Sequence, residues 1–316
     1  MDPFLLEPAY KDYLWGGTRL KTEYGKETDL EIVAESWECS IHPDGPSRIA
    51  SGPWKGRTLA EFLEACPEAM GTHGQKYKTL PILVKLIDAK EDLSVQVHPD
   101  DVYALAHEGQ LGKTELWYIL KADPGATLIY GFAHDVTPEL VRKAVREGTI
   151  LDHLQRVPVH EGDVFLIEPG TVHAIGGGVL LAEIQENSNV TYRVYDYDRL
   201  GKDGKPRELH LEKALEVMNF KAAKEPRSPH RVIRYTPGVA RELIGRCRYF
   251  QVERVTVHGE YEFDSNEESF KVLLLIEEKM AYGKEKDKQQ GKTFFLQSMG
   301  KSQRLLGKFT LLQIAI

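Results

Sequence analysis

From Leu80 to Tyr197 the chain is cut again and again into short apolar or alternating runs, each closed by a turn signal. Ile82–Ile87, Leu93–His98, Leu116–Leu120, Thr127–Tyr130, Val164–Ile167, Val172–Ile175, Val179–Ile184 and Val190–Tyr197 read as strands. Pro99, Pro169-Gly170, the glycines 176 to 178 and Asn187-Ser188-Asn189 punctuate them. Strands this short, joined this tightly, predict a mainly β protein built as a barrel or jelly roll. Glu31–Ile41 reads as an earlier strand. Tyr249–Val257, Phe270–Ile276, Thr293–Gln297 and Phe309–Ile316 form a later group.

Helical patterns are few. Thr58 and Glu61 form a capping box ahead of Leu59, Phe62 and Leu63, which predicts a helix over about 58–66. Others are expected over about 100–108, over about 137–156 behind Thr137-Pro138-Glu139, and over about 211–220. Pro226, Pro229 and Pro237 among basic residues mark a linker at about 223–237. The expected organisation is a domain over 1–222, with the long helical stretch as an insertion, and a smaller all-β domain over 238–316.

With 316 residues, 41% of them hydrophobic, the chain can bury a core in each domain. It has no uninterrupted apolar stretch of about 18 residues, and no membrane association is expected. Forty-one Lys and Arg against 48 Asp and Glu give a net charge of −7, which argues against nucleic acid as a partner. A phosphorylated substrate would need a local basic pocket. Cys39, Cys66 and Cys247 form no CxxC pair, so neither a disulfide framework nor a thiolate zinc site is expected, and a reducing cytoplasm fits. Met1 leads into Asp2, Pro3 and Glu7 without the basic start and apolar middle of a secretory signal. Monomer and homodimer remain equally open.

Three polar groups stand where a strand should be apolar. Ser94, Gln96 and His98 share one face, with Val95 and Val97 on the other. Glu115 opens the apolar run Leu116–Leu120, and His173 is the first strong polar group of its own strand. Each alone also fits an ordinary strand end or a core histidine with a backbone partner. Together His98, Glu115 and His173 make a two-histidine, one-carboxylate set, with Gln96 as a possible fourth ligand. Nitrogen and oxygen donors without thiolate suit zinc, and would also accept iron, manganese or cobalt. Glu183 is a candidate acid or base on the face it shares with Gln185, Val179 and Leu181. Period two also places Thr191, Arg193, Tyr195, Tyr197 and Arg199 on one face, a cationic and aromatic surface suited to sugar and phosphate.

Several segments resemble the short bacterial form of type I mannose-6-phosphate isomerase. They are Trp15-Gly16-Gly17, Gln96-Val97-His98-Pro99-Asp100, the stretch from Gly112-Lys113-Thr114-Glu115 to Tyr118, Pro169-Gly170-Thr171-Val172-His173-Ala174, and the stretch from Gln185 to Arg199. The match runs in order from about residue 8 to 220. The resemblance implies two cupin (jelly-roll) lobes with a helical insertion, and one zinc ion per chain held by Gln96, His98, Glu115 and His173. It also implies an active cleft with Lys113, Glu183 and Arg193, with Lys85 and Ser94 near it. Arg199 stands where long eukaryotic members carry a lysine, and Gln297 stands where a proline is expected. The second lobe has only His258, so a second metal site is not expected.

The implied reaction interconverts mannose 6-phosphate and fructose 6-phosphate through a cis-enediolate, with Glu183 or Lys113 as base. Arg193 stays charged and would stabilise the enediolate or anchor phosphate; Lys85, Ser94 and Arg199 would contact substrate. Two other readings stand beside it: an Fe(II)-dependent cupin oxygenase, which shares the ligand set, and a non-catalytic phosphosugar-binding cupin.

Overall fold

The computed structural model describes residues 2–201, 204–228, 233–279 and 290–316. The protein is mainly β, and its strands form three antiparallel sheets. A six-stranded sheet runs in the order Val164–Ile167, Glu115–Ala122, Val179–Glu186, Ile82–Ala89, Glu35–Cys39, Ala9–Lys11. A five-stranded sheet runs Tyr192–Tyr195, Val95–Val97, His173–Ile175, Thr127–Phe132, Leu154–Pro158. These two sheets pack face to face. Ile87, Trp117, Ile119, Phe165 and Leu181 from the first meet Leu128, Val157 and Ile175 from the second in one buried cluster. Alternation along each strand leaves the opposite faces apolar as well, so both need a further layer.

Helices cover the five-stranded sheet. Val95, Val97, Ala174, Tyr192 and Val194 pack with Val141 and Ala144 of helix Pro138–Glu147 and with Ala214 and Leu215 of helix Leu211–Val217. On the other side, Leu116, Tyr118, Leu180, Ala182 and Ile184 of the six-stranded sheet pack against Val252, Val272, Leu274, Leu312 and Ile314 of an eight-stranded sheet. That third sheet holds the C-terminal strands and also takes in Phe4–Glu7 and Arg48–Ile49 from the start of the chain. Its two longest strands, Gln251–Phe263 and Gln303–Ala315, pair along their whole length. Gly259 and Gly307 are direct partners, at φ +122° and +126°, so both strands can bend at one point without side-chain strain.

The expected helices are present in shortened form. Leu59–Ala65 carries the Thr58–Glu61 capping box, and Asp101–His107 is capped by Asp100. The stretch expected as helix over about 137–156 divides instead. Helix Pro138–Glu147 ends at Gly148 in the left-handed conformation, Ile150–His153 is a 3-10 turn, and Leu154–Pro158 pairs as a strand with Thr127–Phe132. Beyond Gly148, Leu154–Pro158 pairs with a neighbouring strand and buries Leu154 and Val157, and sheet pairing overrides the helical spacing. Lys221–Ser228 does not hang loose: Ser228 N–H donates to Val164 O, and Arg227 pairs with Asp163. Residues 229–232 of the expected linker lie outside the described residues. Among the described residues no helix is long and apolar enough to cross a membrane.

Candidate active site

Strand register assembles the site. Gln96 pairs with His173 on one side and Arg193 on the other, all three facing the six-stranded sheet. Across from them, Trp37, Lys85, Glu183 and Trp117 are successive partners in one row over four strands, and Glu115 pairs with Gln185 in the next row. Lys113 lies on the turn just before Glu115.

His98, Glu115 and His173 are 1%, 0% and 0% exposed, and one ligand-type atom from each falls within 4.8 Å of the others. His98 Nδ1 lies 2.9 Å from Val190 O and His173 Nδ1 2.8 Å from Thr171 O. Each Nδ1–H is thus used by a backbone carbonyl, which leaves both Nε2 lone pairs facing Glu115. Nε2 of His98 is 3.2 Å from Glu115 Oε1, and Nε2 of His173 is 3.7 Å from Oε2. Burial holds both imidazoles below their ordinary pKa, His98 down to about 3 with the Lys113 charge adding to the effect. Burial opposes the charge of Glu115, yet Lys113 Nζ at 2.6 Å holds its carboxyl well below the usual range. Both Glu115 oxygens are buried; the Lys113 ammonium is paired with Oε1, and Oε2 has no hydrogen-bond donor. Two neutral imidazole nitrogens converging on an ionised carboxylate form a donor set that could hold a metal ion. Gln96 Nε2 lies 3.4 Å from His173 Nε2, which brings the amide to the edge of that set.

Beside these residues is a 290 Å³ cavity lined by Lys85, Ser94, Gln96, Lys113, Glu183, Thr191 and Arg193. Glu183 Oε1 is 3.1 Å from Lys85 Nζ, and Oε2 accepts from Trp117 Nε1 at 2.9 Å. Burial and the Glu115 charge push the Glu183 pKa up. Burial also opposes the charge on Lys85, but Glu35 and Glu183 push its pKa up. Arg193 donates from Nη1 to Glu208 O at 2.7 Å, while its buried Nε has no partner. Burial and the nearby Arg207 charge lower its pKa.

Nine of the ten residues expected at the site therefore meet around one cavity and its buried floor. Arg199 does not line it. The alternating face breaks after Tyr195, because Tyr197 and Asp198 take positive φ values of 56° and 54°, and Arg199 turns to Asp196 and to the Asp92 carbonyl. Arg207 lines the cavity and binds Asp196 through Nε and Nη2 at 2.7 and 2.6 Å. It sits in an irregular loop with no periodicity to reveal it. Tyr13, Trp15, Glu35 and Asn189 are further lining residues; for Trp15 the Trp-Gly-Gly turn was the only signal.

Two carboxyls hold the turn that carries Lys113. Asp101 Oδ1 accepts from Gly112 N at 2.9 Å and its Oδ2 from Tyr249 OH at 2.6 Å, while Glu186 Oε1 accepts from Thr114 N at 2.7 Å. A Cβ on Gly112 would fall 2.5 Å from the Asp100 carbonyl carbon, so this turn needs glycine to lie against the backbone.

An antiparallel β fold with a buried histidine–carboxylate centre beside a cation-lined cavity defines an enzyme class in which a bound metal and fixed charges act on a small polar substrate. The model of the family "Phosphomannose isomerase type I, catalytic domain" matches residues 4–116. The mannose-6-phosphate isomerase ManA of Bacillus subtilis is 39% identical over 260 residues, covering 82% of this chain and 80% of that protein. The mannose-6-phosphate isomerase of Streptococcus mutans is 42% identical over 219 residues, covering 69% of this chain and 68% of that protein. The crystal structure of the mannose 6-phosphate isomerase from Bacillus subtilis superposes with a TM-score of 0.89 at 36% identity, over 100% of both chains. The chain belongs to the type I phosphomannose isomerase family.

Proposed function

We propose that the protein is a zinc-dependent isomerase that interconverts mannose 6-phosphate and fructose 6-phosphate in the cytoplasm, through a cis-enediolate. The observation that carries this reading is the buried Glu115 carboxylate between two tautomer-fixed histidines, beside a cavity lined by cations. His98, Glu115 and His173 would hold the ion, with Gln96 as a fourth ligand after rotation of its amide. When bound, zinc supplies a Lewis acid that polarises the substrate carbonyl.

The protein's own groups perform the rest. Glu183 is the base that carries the proton between C2 and C1, because its carboxyl lines the cavity and burial with the Glu115 charge raises its affinity for a proton. Lys113 is the rival, although its ammonium is held 2.6 Å from Glu115 and better placed to stabilise negative charge. Lys85 shares its charge with Glu35 and Glu183 and fixes the orientation of the base. Arg193, Arg199 and Arg207 surround the single carboxylate of Asp196. That leaves positive charge in excess where Arg193 and Arg207 meet the cavity, and this surplus takes the phosphate. Ser94 contacts the sugar. The cationic lining favours a phosphosugar over the substrates of an Fe(II) oxygenase.

We also propose that the paired six- and five-stranded sheets and the bent eight-stranded sheet close as two cupin lobes. Catalysis is confined to residues 1–222, and 238–316 form the supporting lobe. The deciding experiment is an isomerase assay on purified protein before chelation, after it, and after zinc is restored. Full turnover by metal-free protein would overturn the reading.

A further inference from the structure

The eight-stranded sheet carries a second polar site on the face turned away from the catalytic half. Along most of that face neighbouring strands are apolar: Val239, Val255 and Val257, Leu273 and Leu275, and Phe309 and Leu311 are buried together. Two residues further along each strand, on the same face, stand Arg241, Glu253, Lys271 and Gln313. A sheet face that bends over its own apolar cluster thus turns charged at one end on four adjacent strands at once. There it opens into a 590 Å³ groove, larger than the 290 Å³ catalytic cavity, with Lys76, Arg246 and Arg248 also in its lining.

The charges of this groove do not cancel. Glu253 is shared by Arg241 and by Gln313, whose Nε2 donates to it at 3.0 Å. Lys271 Nζ donates to the backbone carbonyl of Asp264; burial and the neighbouring Arg241 lower its pKa, against the opposing charges of Asp264 and Glu253. Among the described residues, Lys76 and Arg246 form no ion pair, and the Arg248 charge acts on the Asp101 carboxylate. Glu268 is the remaining acid in the lining, and His73 lies 3.4 Å from an oxygen of Ile316 at one end. Five Lys and Arg line the groove against two Glu, in a chain whose net charge is −7. Arg241 and Lys271 are half-buried in the groove and Lys76, Arg246 and Arg248 are exposed along it, so the lining presents an excess of positive charge to which an anion can bind. The volume lies in the range of small-molecule sites and is too small for a folded partner.

We propose that this groove is a second ligand site, taking a phosphorylated small molecule whose phosphate is bound by the uncompensated cations and whose hydroxyls reach Gln313 and Glu253. The site is separate from the catalytic cavity, and its test does not depend on the reaction performed there. Glucose 6-phosphate and inorganic phosphate would be titrated calorimetrically into metal-loaded protein, into an Arg246→Ser/Arg248→Ser double variant and into Lys271→Met. The expected result is one glucose 6-phosphate site fewer per chain in the double variant than in the unmodified protein, at unchanged isomerase turnover. Lys271→Met, which keeps the side-chain shape, should weaken the second site roughly 10-fold or more. Identical isotherms for all three proteins would overturn the proposal. Inorganic phosphate binding the groove more tightly than glucose 6-phosphate would also overturn it, since the hydroxyl contacts would then contribute nothing.

Discussion

At the scale of single residues, the site depends on what each side chain is denied. His98 and His173 give their Nδ1–H groups to carbonyls, so their remaining nitrogens can only face Glu115. His98→Ala or His173→Ala should therefore abolish metal binding and turnover together while circular dichroism stays unchanged, as elemental analysis and the isomerase assay would show. Glu183→Gln is expected to retain metal and substrate but to lose exchange of the C2 proton with deuterated solvent, read by NMR. Near-normal exchange would move the base to Lys113. Arg207→Ala should raise KM for the phosphosugar roughly 10–100-fold and leave zinc content unchanged, because it removes a charged hydrogen-bonding partner and no metal ligand.

Among the elements, the turn from Gly112 to Glu115 deserves the closest test, since it is held by groups outside the cavity. Tyr249, from the C-terminal half, reaches it through Asp101, and Glu186 grips it from the neighbouring strand. Tyr249→Phe removes a hydrogen bond to a charged group, worth about 1.5–3 kcal/mol. It should lower kcat more than it changes KM, because Lys113 loses its position and the phosphate contacts remain. Glu186 makes a pH prediction. Burial pushes its carboxyl up to about 8, against an ordinary value of 4.5, so between those values the folded protein binds more protons than the unfolded chain. The stability this contributes is complete below pH 4.5 and is lost as pH rises through 8. The thermal midpoint should fall over that window, and Glu186→Gln should flatten the fall.

For the whole molecule, the layers make the two halves interdependent. Leu116, the residue after Glu115, belongs to the face that packs on the eight-stranded sheet, and the strand Phe4–Glu7 pairs inside that sheet. A chain ending at residue 222 would expose Leu116, Tyr118, Leu180, Ala182 and Ile184, a contiguous apolar surface. It should elute as aggregate on size exclusion and bind no metal stoichiometrically. A soluble, metal-loaded fragment would show that the catalytic half folds alone.

Local rules suffice for much of this protein. Period two over Leu93–His98 and Val179–Ile184 determined which side chains share a face, because a strand has only two faces, and the Thr58–Glu61 capping box determined a helix start with its own hydrogen bonds. The grouping of His98, Glu115 and His173 was readable for the same reason: polar groups on an otherwise buried face need partners. What lies opposite a face is not a local property. The partner of Glu115 across the sheets, the route from Tyr249 to Lys113 and the arrival of Arg207 at the cavity in place of Arg199 were decided by packing. So was the fate of Leu154–Pro158, whose helical spacing lost to an open sheet edge, since pairing a strand along its length satisfies more backbone groups than one further helical turn would.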